Sequence, residues 1–206
     1  MSVGRKPSHS RESFVEAALQ IADEQGIGAL TVRTLGTAVG ASATAVYRYF
    51  DTKEALIDAI REALVAKMQA NWTPNENPVE SLVNLGRALR ITAQKHPSFG
   101  QILIVGATPN DATNQLPQVV IALLEQLGVT HDRIVVGYRQ IETLAIGSAI
   151  FDFGGAPHHL RERRERMTAI GHPAFNAQLA DDESVARIND EAFESSLRII
   201  IEHLTR

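Results

Sequence analysis

The chain contains no cysteine, which excludes disulfides and thiolate metal sites and suits a reducing compartment. Aromatic residues make up only 5%, with a single tryptophan, so a cluster of them stands out wherever it occurs. Long apolar runs are missing too. The longest purely aliphatic stretch, Val119 to Leu124, is far too short to span a bilayer. The opening MSVGRKPSHSRES has no apolar centre and so is not a secretory signal. Period-two alternation is weak nearly everywhere. No glycine-rich phosphate loop, nucleophile–base set or metal cluster appears, so neither an enzyme nor a cofactor is expected. These absences lead to the expectation of a soluble cytoplasmic protein with no membrane partner.

What is there suffices for a folded core: 206 residues, 44% hydrophobic and 21% charged, a balance that argues against disorder. The net charge is −4, but it is unevenly spread. Residues 1–50 hold five basic side chains (Arg5, Lys6, Arg11, Arg33, Arg48) and four acidic ones (Glu12, Glu16, Asp23, Glu24). The first part is thus about neutral and the rest acidic. Any nucleic-acid footprint has to be a local patch.

Helical periodicity dominates. Ser10 is a good N-cap for a helix running to about Gln25, with Phe14, Ala17, Ala18, Ile21 and Ala22 on its apolar face; Gly26 and Gly28 stop it. Thr31 opens a second helix that turns Val32, Leu35 and Val39 inward and ends at Gly40. Ser42 caps a very short third helix to about Tyr49, and Asp51 or Thr52 caps a fourth through Leu56, Ile60, Leu64 and Met68. The polar, proline-bearing stretch from Asn71 to Pro78 is the natural domain boundary. Further helices are expected over about 79–96, 116–127, 132–153 and 182–204, with a short apolar piece from Phe99 to Val105, a loop from Thr108 to Gln115 and an irregular charged region over 156–182. The total is about nine to ten helices, an all-α chain.

The segment from Thr31 to Leu56, TVRTLGTAVGASATAVYRYFDTKEAL, carries the functional signal. Two short helices meet at a glycine turn, followed by Tyr47-Arg48-Tyr49 and then Lys53. Val39 and Val46 flank the turn and fix its angle. Gly40 reverses the chain with positive φ, and Phe50 and Leu56 fill the core below. The outward set is Thr31, Arg33, Ser42, Ala43, Thr44, Tyr47, Arg48, Tyr49 and Lys53. Such an array suits a helix in the major groove, with phenols and a lysine on phosphates. Arg33 can pair bidentately with a guanine edge, worth about 1–3 kcal/mol of discrimination. Ala43 and Thr44 offer only methyl contacts, so sequence choice leans on Arg33, Arg48 and DNA shape.

These motifs, together with Leu30-Thr31-Val32-Arg33, Val39-Gly40-Ala41-Ser42 and Lys53-Glu54-Ala55-Leu56, resemble the DNA-binding domain of the TetR (tetracycline repressor) family of bacterial transcription regulators. The resemblance is strong over residues 9–60 and continues only as helix order beyond. It implies a flexible basic arm at 1–9, a three-helix helix-turn-helix domain at 10–56 and a helical ligand-binding and dimerisation domain at 57–206. It further implies a homodimeric repressor that meets two half-sites of a double-stranded operator and releases them when a small effector binds. The apolar composition points to a hydrophobic effector. Candidate pocket residues are Trp72, Phe99, Ile102, Leu103, Leu123, Tyr138, Phe151 and Phe153, although an apolar stripe at helical spacing is more often core than pocket. The wide stripes of the last two long helices place Leu144, Ser148, Ile188, Ala192 and Ile199 at the dimer interface. His158-His159 with His172 read as surface histidines rather than a metal site, and Arg161 to Arg166 as a solvated helix face.

Overall fold

A computed structural model describes residues 9–104, 111–150 and 157–206. Among the described residues there is no strand. Eleven α-helices follow one another: α1 (Arg11–Gln25), α2 (Val32–Val39), α3 (Ala43–Tyr47), α4 (Lys53–Asn71), α5 (Pro78–Lys95), α6 (Phe99–Ile104), α7 (Asp111–Gln126), α8 (His131–Ile150), α9 (Pro157–Thr168), α10 (Pro173–Gln178) and α11 (Asp182–Leu204). A single 3-10 turn at Ile27–Ala29 links α1 to α2. The expected basic arm, with Arg5 and Lys6, lies outside the described residues except for His9.

The helices fall into two compact units. One holds α1, α2, α3, the part of α4 up to Ala66, α6 and the first residues of α7 up to Thr113; the other holds the remainder of α4 with α5, α7 from Asn114 on, and α8 to α11. In the first unit α1 buries Phe14, Val15, Ala18, Leu19, Ile21 and Ala22, a stripe at helical spacing that packs on α2. Each large side chain fully buried this way contributes about 1.5–3 kcal/mol. Two polar ties bring α6 into this unit. Asp23 of α1 accepts from the Ser98 N–H at 3.1 Å and its hydroxyl at 2.6 Å. The buried Arg61 of α4 donates through Nε and Nη2 to the Ile102 carbonyl, each at 3.2 Å, and also holds Asp58.

In the second unit α5 is the central rod. Its buried residues, from Ser81 and Leu82 to Thr92 and Ala93, cover most of its circumference, and it packs against both α8 and α11. Gly86 makes the close approach to α11 possible: a Cβ there would sit 2.5 Å from Leu197 Cδ2. A line of ion pairs runs beside this contact. Arg198 grips Glu80 with two bonds at 2.7 and 3.0 Å and also reaches Glu194; Arg87 pairs with Glu194, and Arg90 with Asp190. These bonds hold the Glu80 and Glu194 carboxyls below their usual pKa, Glu80 through Arg198 and Glu194 through Arg87 first and Arg198 next. Arg133 of α8 donates to the carbonyls of His203 and Leu204 at 2.9 and 3.2 Å and so closes the end of α11.

Two regions differ from expectation. α7 begins at Asp111, inside the expected loop, so Pro117 lies within the helix rather than in its first turn; one lost backbone bond is tolerated there. The region expected to be irregular around a charged helical patch contains that patch as α9, and a second short helix, α10. Its charge-rich composition leaves no apolar stripe to read, and its ties are polar: Arg164 donates to the Ala180 carbonyl at 3.2 Å and approaches Asp182 of α11 at 3.5 Å.

Candidate nucleic-acid interface

Each short helix of the interface is capped by its own sequence. Thr31 Oγ1 accepts from the Thr34 N–H at 3.0 Å while the Thr31 N–H donates to Thr34 Oγ1 at 2.9 Å, a reciprocal capping pair. α2 ends where Gly40 takes the left-handed conformation, φ 67°. The reversal is tight: the Ala41 N–H donates to the Gly36 carbonyl at 2.8 Å. A Cβ on Gly36 would stand 2.8 Å from the Ala41 carbonyl oxygen. The angle between α2 and α3 therefore needs glycine at 36 as well as at 40, a requirement the sequence reading missed. A second small residue three or four positions before a turn glycine was the available signal. Ser42 Oγ then accepts from the Ala45 N–H at 3.2 Å and opens α3. Of the two candidates for the cap of α4, Thr52 performs it, accepting from the Ala55 N–H at 3.0 Å.

The underside of this array is apolar and closed. Leu30, Leu35, Val46, Phe50 and Leu56 are all buried. Such short helices have little stability alone, so this packing holds them. All nine residues expected to face DNA (Thr31, Arg33, Ser42, Ala43, Thr44, Tyr47, Arg48, Tyr49 and Lys53) are exposed. Tyr47 is half open to solvent, at 51%, and a large phenol left so exposed is available to a partner. Tyr49 is different. Its hydroxyl donates to the His9 carbonyl at 2.7 Å, so the proton expected to meet a phosphate is already engaged.

The candidate pocket residues belong to both compact units. Phe99 and Ile102 are fully buried in the first unit, where the Ser98 and Ile102 ties hold α6, and Leu103 lies beside them. Leu123 is buried and Tyr138 half-buried in the second unit. The Tyr138 hydroxyl donates to Glu142 at 3.3 Å; burial first, then the Glu142 charge, pushes its pKa up to about 12. Trp72 gives its indole N–H to the Ser81 carbonyl at 3.2 Å, which ties the α4–α5 connection to the start of α5. Phe151 and Phe153 lie outside the described residues. A cavity of about 290 Å³ opens in the second unit against Arg90, Ile91, Gln94 and Phe193, none of them in the expected set. Among the interface candidates, Ala192 and Ile199 are exposed, while Leu144, Ser148 and Ile188 are half-buried. His172 caps α10, its Nδ1 accepting from the Ala174 N–H at 3.2 Å. No described helix is long and apolar enough to cross a membrane.

A short exposed helix set by a left-handed glycine turn and edged with phenols and cations defines a helix-turn-helix DNA-binding regulator. The comparisons agree. Residues 14–60 match the family model for bacterial regulatory proteins of the tetR family, and residues 73–206 match the tetracyclin repressor-like C-terminal domain. The chain is 26% identical over 160 residues to the HTH-type transcriptional repressor DrrR1 of Streptomyces coeruleorubidus, covering 72% of this chain and 55% of that protein. It is 24% identical over 197 residues to the Escherichia coli tetracycline repressor class A from transposon 1721, covering 94% and 89%. A possible TetR family regulator from Streptomyces coelicolor A3(2) superposes with a TM-score of 0.70 at 24% identity, over 95% and 98% of the two chains. A TetR variant from Acinetobacter baumannii AYE in complex with minocycline superposes at 0.64 with 22% identity, over 97% and 99%. The chain belongs to the TetR family of transcriptional regulators: it is a DNA-binding protein, not an enzyme.

Proposed function

We propose that the chain is a homodimeric, effector-responsive repressor whose α3 enters the major groove at each of two operator half-sites. The carrying observation is that the nine outward residues share the surface of one unit while Leu35, Val46 and Phe50, interleaved with them in sequence, are buried beneath. In this reading Arg33 and Arg48 face base edges, Tyr47 and Lys53 bind phosphates, and Thr31 and Ser42 add hydroxyl contacts at helix starts. A hydroxyl that accepts a capping bond still has its own proton to give.

Two half-sites require two copies with recognition helices about 34–36 Å apart. Val136 and Ile150 on α8 and Ile199 on α11 are large apolar side chains left exposed, at 55, 53 and 62%. Gly147 lies between the first two on the same helix. This face, with Ala192, is the proposed contact with the second copy.

The effector enters the reading through α4 and α6. Arg61 on α4 holds the last turn of α6, and Lys53 begins the same α4. A ligand that favours a different α6 position changes the spacing of the two recognition helices, and its differential affinity sets the loss of operator binding. The family's complexes with minocycline and with actinorhodin support a small, largely hydrophobic effector.

The test is selection of binding sites from random duplex DNA by the purified protein. A two-fold symmetric sequence is expected. Arg33→Ala should then relax base preference at one position, whereas Tyr47→Phe should weaken all sequences alike. Recovery of no enriched duplex at low ionic strength overturns the reading.

A further inference from the structure

The ion pairs between α5 and α11 are unequal. Glu194 is gripped by two arginines, Arg87 and Arg198, and Arg198 is itself held by a second carboxylate, Glu80. At the other end of the line Arg90 pairs with Asp190, and Asp190 has no other partner among the described residues. The two members also differ in their surroundings. The Arg90 side chain is 5% exposed, whereas that of Asp190 is 66% exposed. A buried guanidinium favours any anion that reaches it. A hydrated carboxylate gains little from its partner and can turn to water. Asp190 is therefore the member of the line that can be exchanged.

The cavity of about 290 Å³ opens against this pair. Phe193 is buried and Ile91 is exposed, and together they give it apolar walls; the Arg90 guanidinium lies 5.2 Å from the Phe193 ring centre. Gln94, one helical turn beyond Arg90, is half-buried and lines the same cavity. Its side chain makes no hydrogen bond among the described residues, so the amide has both a donor and an acceptor to offer. The volume lies at the small end of ligand sites, which begin at roughly 300 Å³.

These features select one chemistry. A planar carboxylate matches the guanidinium fork with two parallel bonds. An inorganic anion would leave Phe193 and Ile91 wet, so the carboxylate has to carry an apolar body. A neutral molecule of the same shape has no charge with which to replace Asp190, and a cation meets Arg87 and Arg90.

We propose that this cavity binds a small monocarboxylate with an apolar body: its carboxylate takes the place of Asp190 on Arg90, Gln94 donates to it, and Phe193 and Ile91 enclose the body. The site lies wholly within the second unit. It goes beyond the hydrophobic effector proposed above, because the charge of the ligand is required, and it does not depend on the DNA-binding reading.

The experiment is calorimetric titration of the full chain, without DNA, with benzoate, phenylacetate and hexanoate, and with benzamide as the uncharged counterpart. At least one carboxylate is expected to bind more tightly than about 1 mM, and benzamide is not. Gln94→Ala should weaken that carboxylate by about two- to ten-fold, the range of one lost hydrogen bond. Asp190→Asn is the decisive variant. It changes an exposed side chain and removes the competing charge, so it should tighten binding by roughly two- to five-fold. A residue that merely held the fold together would weaken binding when changed. Arg90→Gln should abolish binding, with a thermal melt on the same sample to show that the variant is folded. Binding of none of the three carboxylates overturns the proposal, as does benzamide binding equal to benzoate. Carboxylate binding that Asp190→Asn and Gln94→Ala leave unchanged places the ligand elsewhere and overturns it too. A chain that binds a carboxylate in this way but no duplex loses the DNA-binding reading and keeps this site.

Discussion

Asp23 and Ser98 are seventy-five residues apart, yet one carboxylate oxygen of Asp23 accepts both the Ser98 N–H, at 3.1 Å, and the Ser98 hydroxyl, at 2.6 Å. Ser98 is buried and directly precedes the six-residue α6. Helix α1 thus supplies the charged group that closes the start of a helix far along the chain. Asp23→Ala leaves two buried donors without that acceptor, and about 1–3 kcal/mol of stability should be lost. Urea unfolding checks it; a variant as stable as wild type means the bond carries no weight.

Gly36→Ala tests the turn. The added methyl would stand 2.8 Å from the Ala41 carbonyl oxygen, and backbone cannot yield as a flexible side chain does. A destabilisation of about 1–3 kcal/mol is expected, together with weaker operator binding because α3 is re-aimed. A thermal melt and a binding titration on the same sample separate the two effects. Ala38→Gly, at an exposed site on the same helix, should cost less and leave affinity nearly unchanged.

Gly147→Trp tests the second copy. A Cβ at Gly147 meets nothing within 4 Å in the chain itself, so the bulky side chain can be carried by a folded protomer. Between two α8 helices it should not fit. Light scattering is expected to report a monomer with operator affinity reduced by orders of magnitude, since one half-site is lost. A dimer of normal affinity would place the contact on another face.

Arg198→Ala tests the ion-pair line beside α5. Glu80 and Glu194 have folded pKa values depressed below 4.5 by their arginine partners. The stabilisation of a depressed carboxyl is present above its unfolded pKa and is lost as pH falls through the folded value. The melting temperature of the variant should therefore lie below that of wild type near neutral pH, by a small margin for partly exposed pairs. The gap should narrow below about pH 4.5. A gap that widens in acid contradicts the assignment.

How much of this was legible in the sequence follows the range of the forces involved. Ser10, Thr31 and Ser42 announce their helices because capping is local, and each does cap. Gly40 likewise declares its turn. The outward set was readable because Leu35, Val46 and Phe50 define which side is down. Gly36 was missed, since close approach of two backbones leaves no mark on composition. Tyr49 was read as a phosphate ligand because nothing near it in sequence hints at His9. Phe99 and Ile102 were grouped with Leu123 and Tyr138 by hydrophobicity alone; the Asp23 and Arg61 bonds that assign α6 to the first unit link residues 75 and 41 positions apart. α9 was legible only as a charged helical patch around Arg161 to Arg166, and α10 escaped because a six-residue helix is too short to show an apolar period.

The placement of α6 has a practical consequence for anyone who wishes to transplant this protein's DNA-reading head. A cassette cut after α4 would look complete by every local criterion, with its caps, turn and exposed phenols intact. It would nonetheless leave Arg61 and Asp23 facing water where Ile102 and Ser98 belong, and would strip Phe99 from the interior. A working graft has to bring α6 along on a linker, which makes the reading head a non-contiguous piece of the gene.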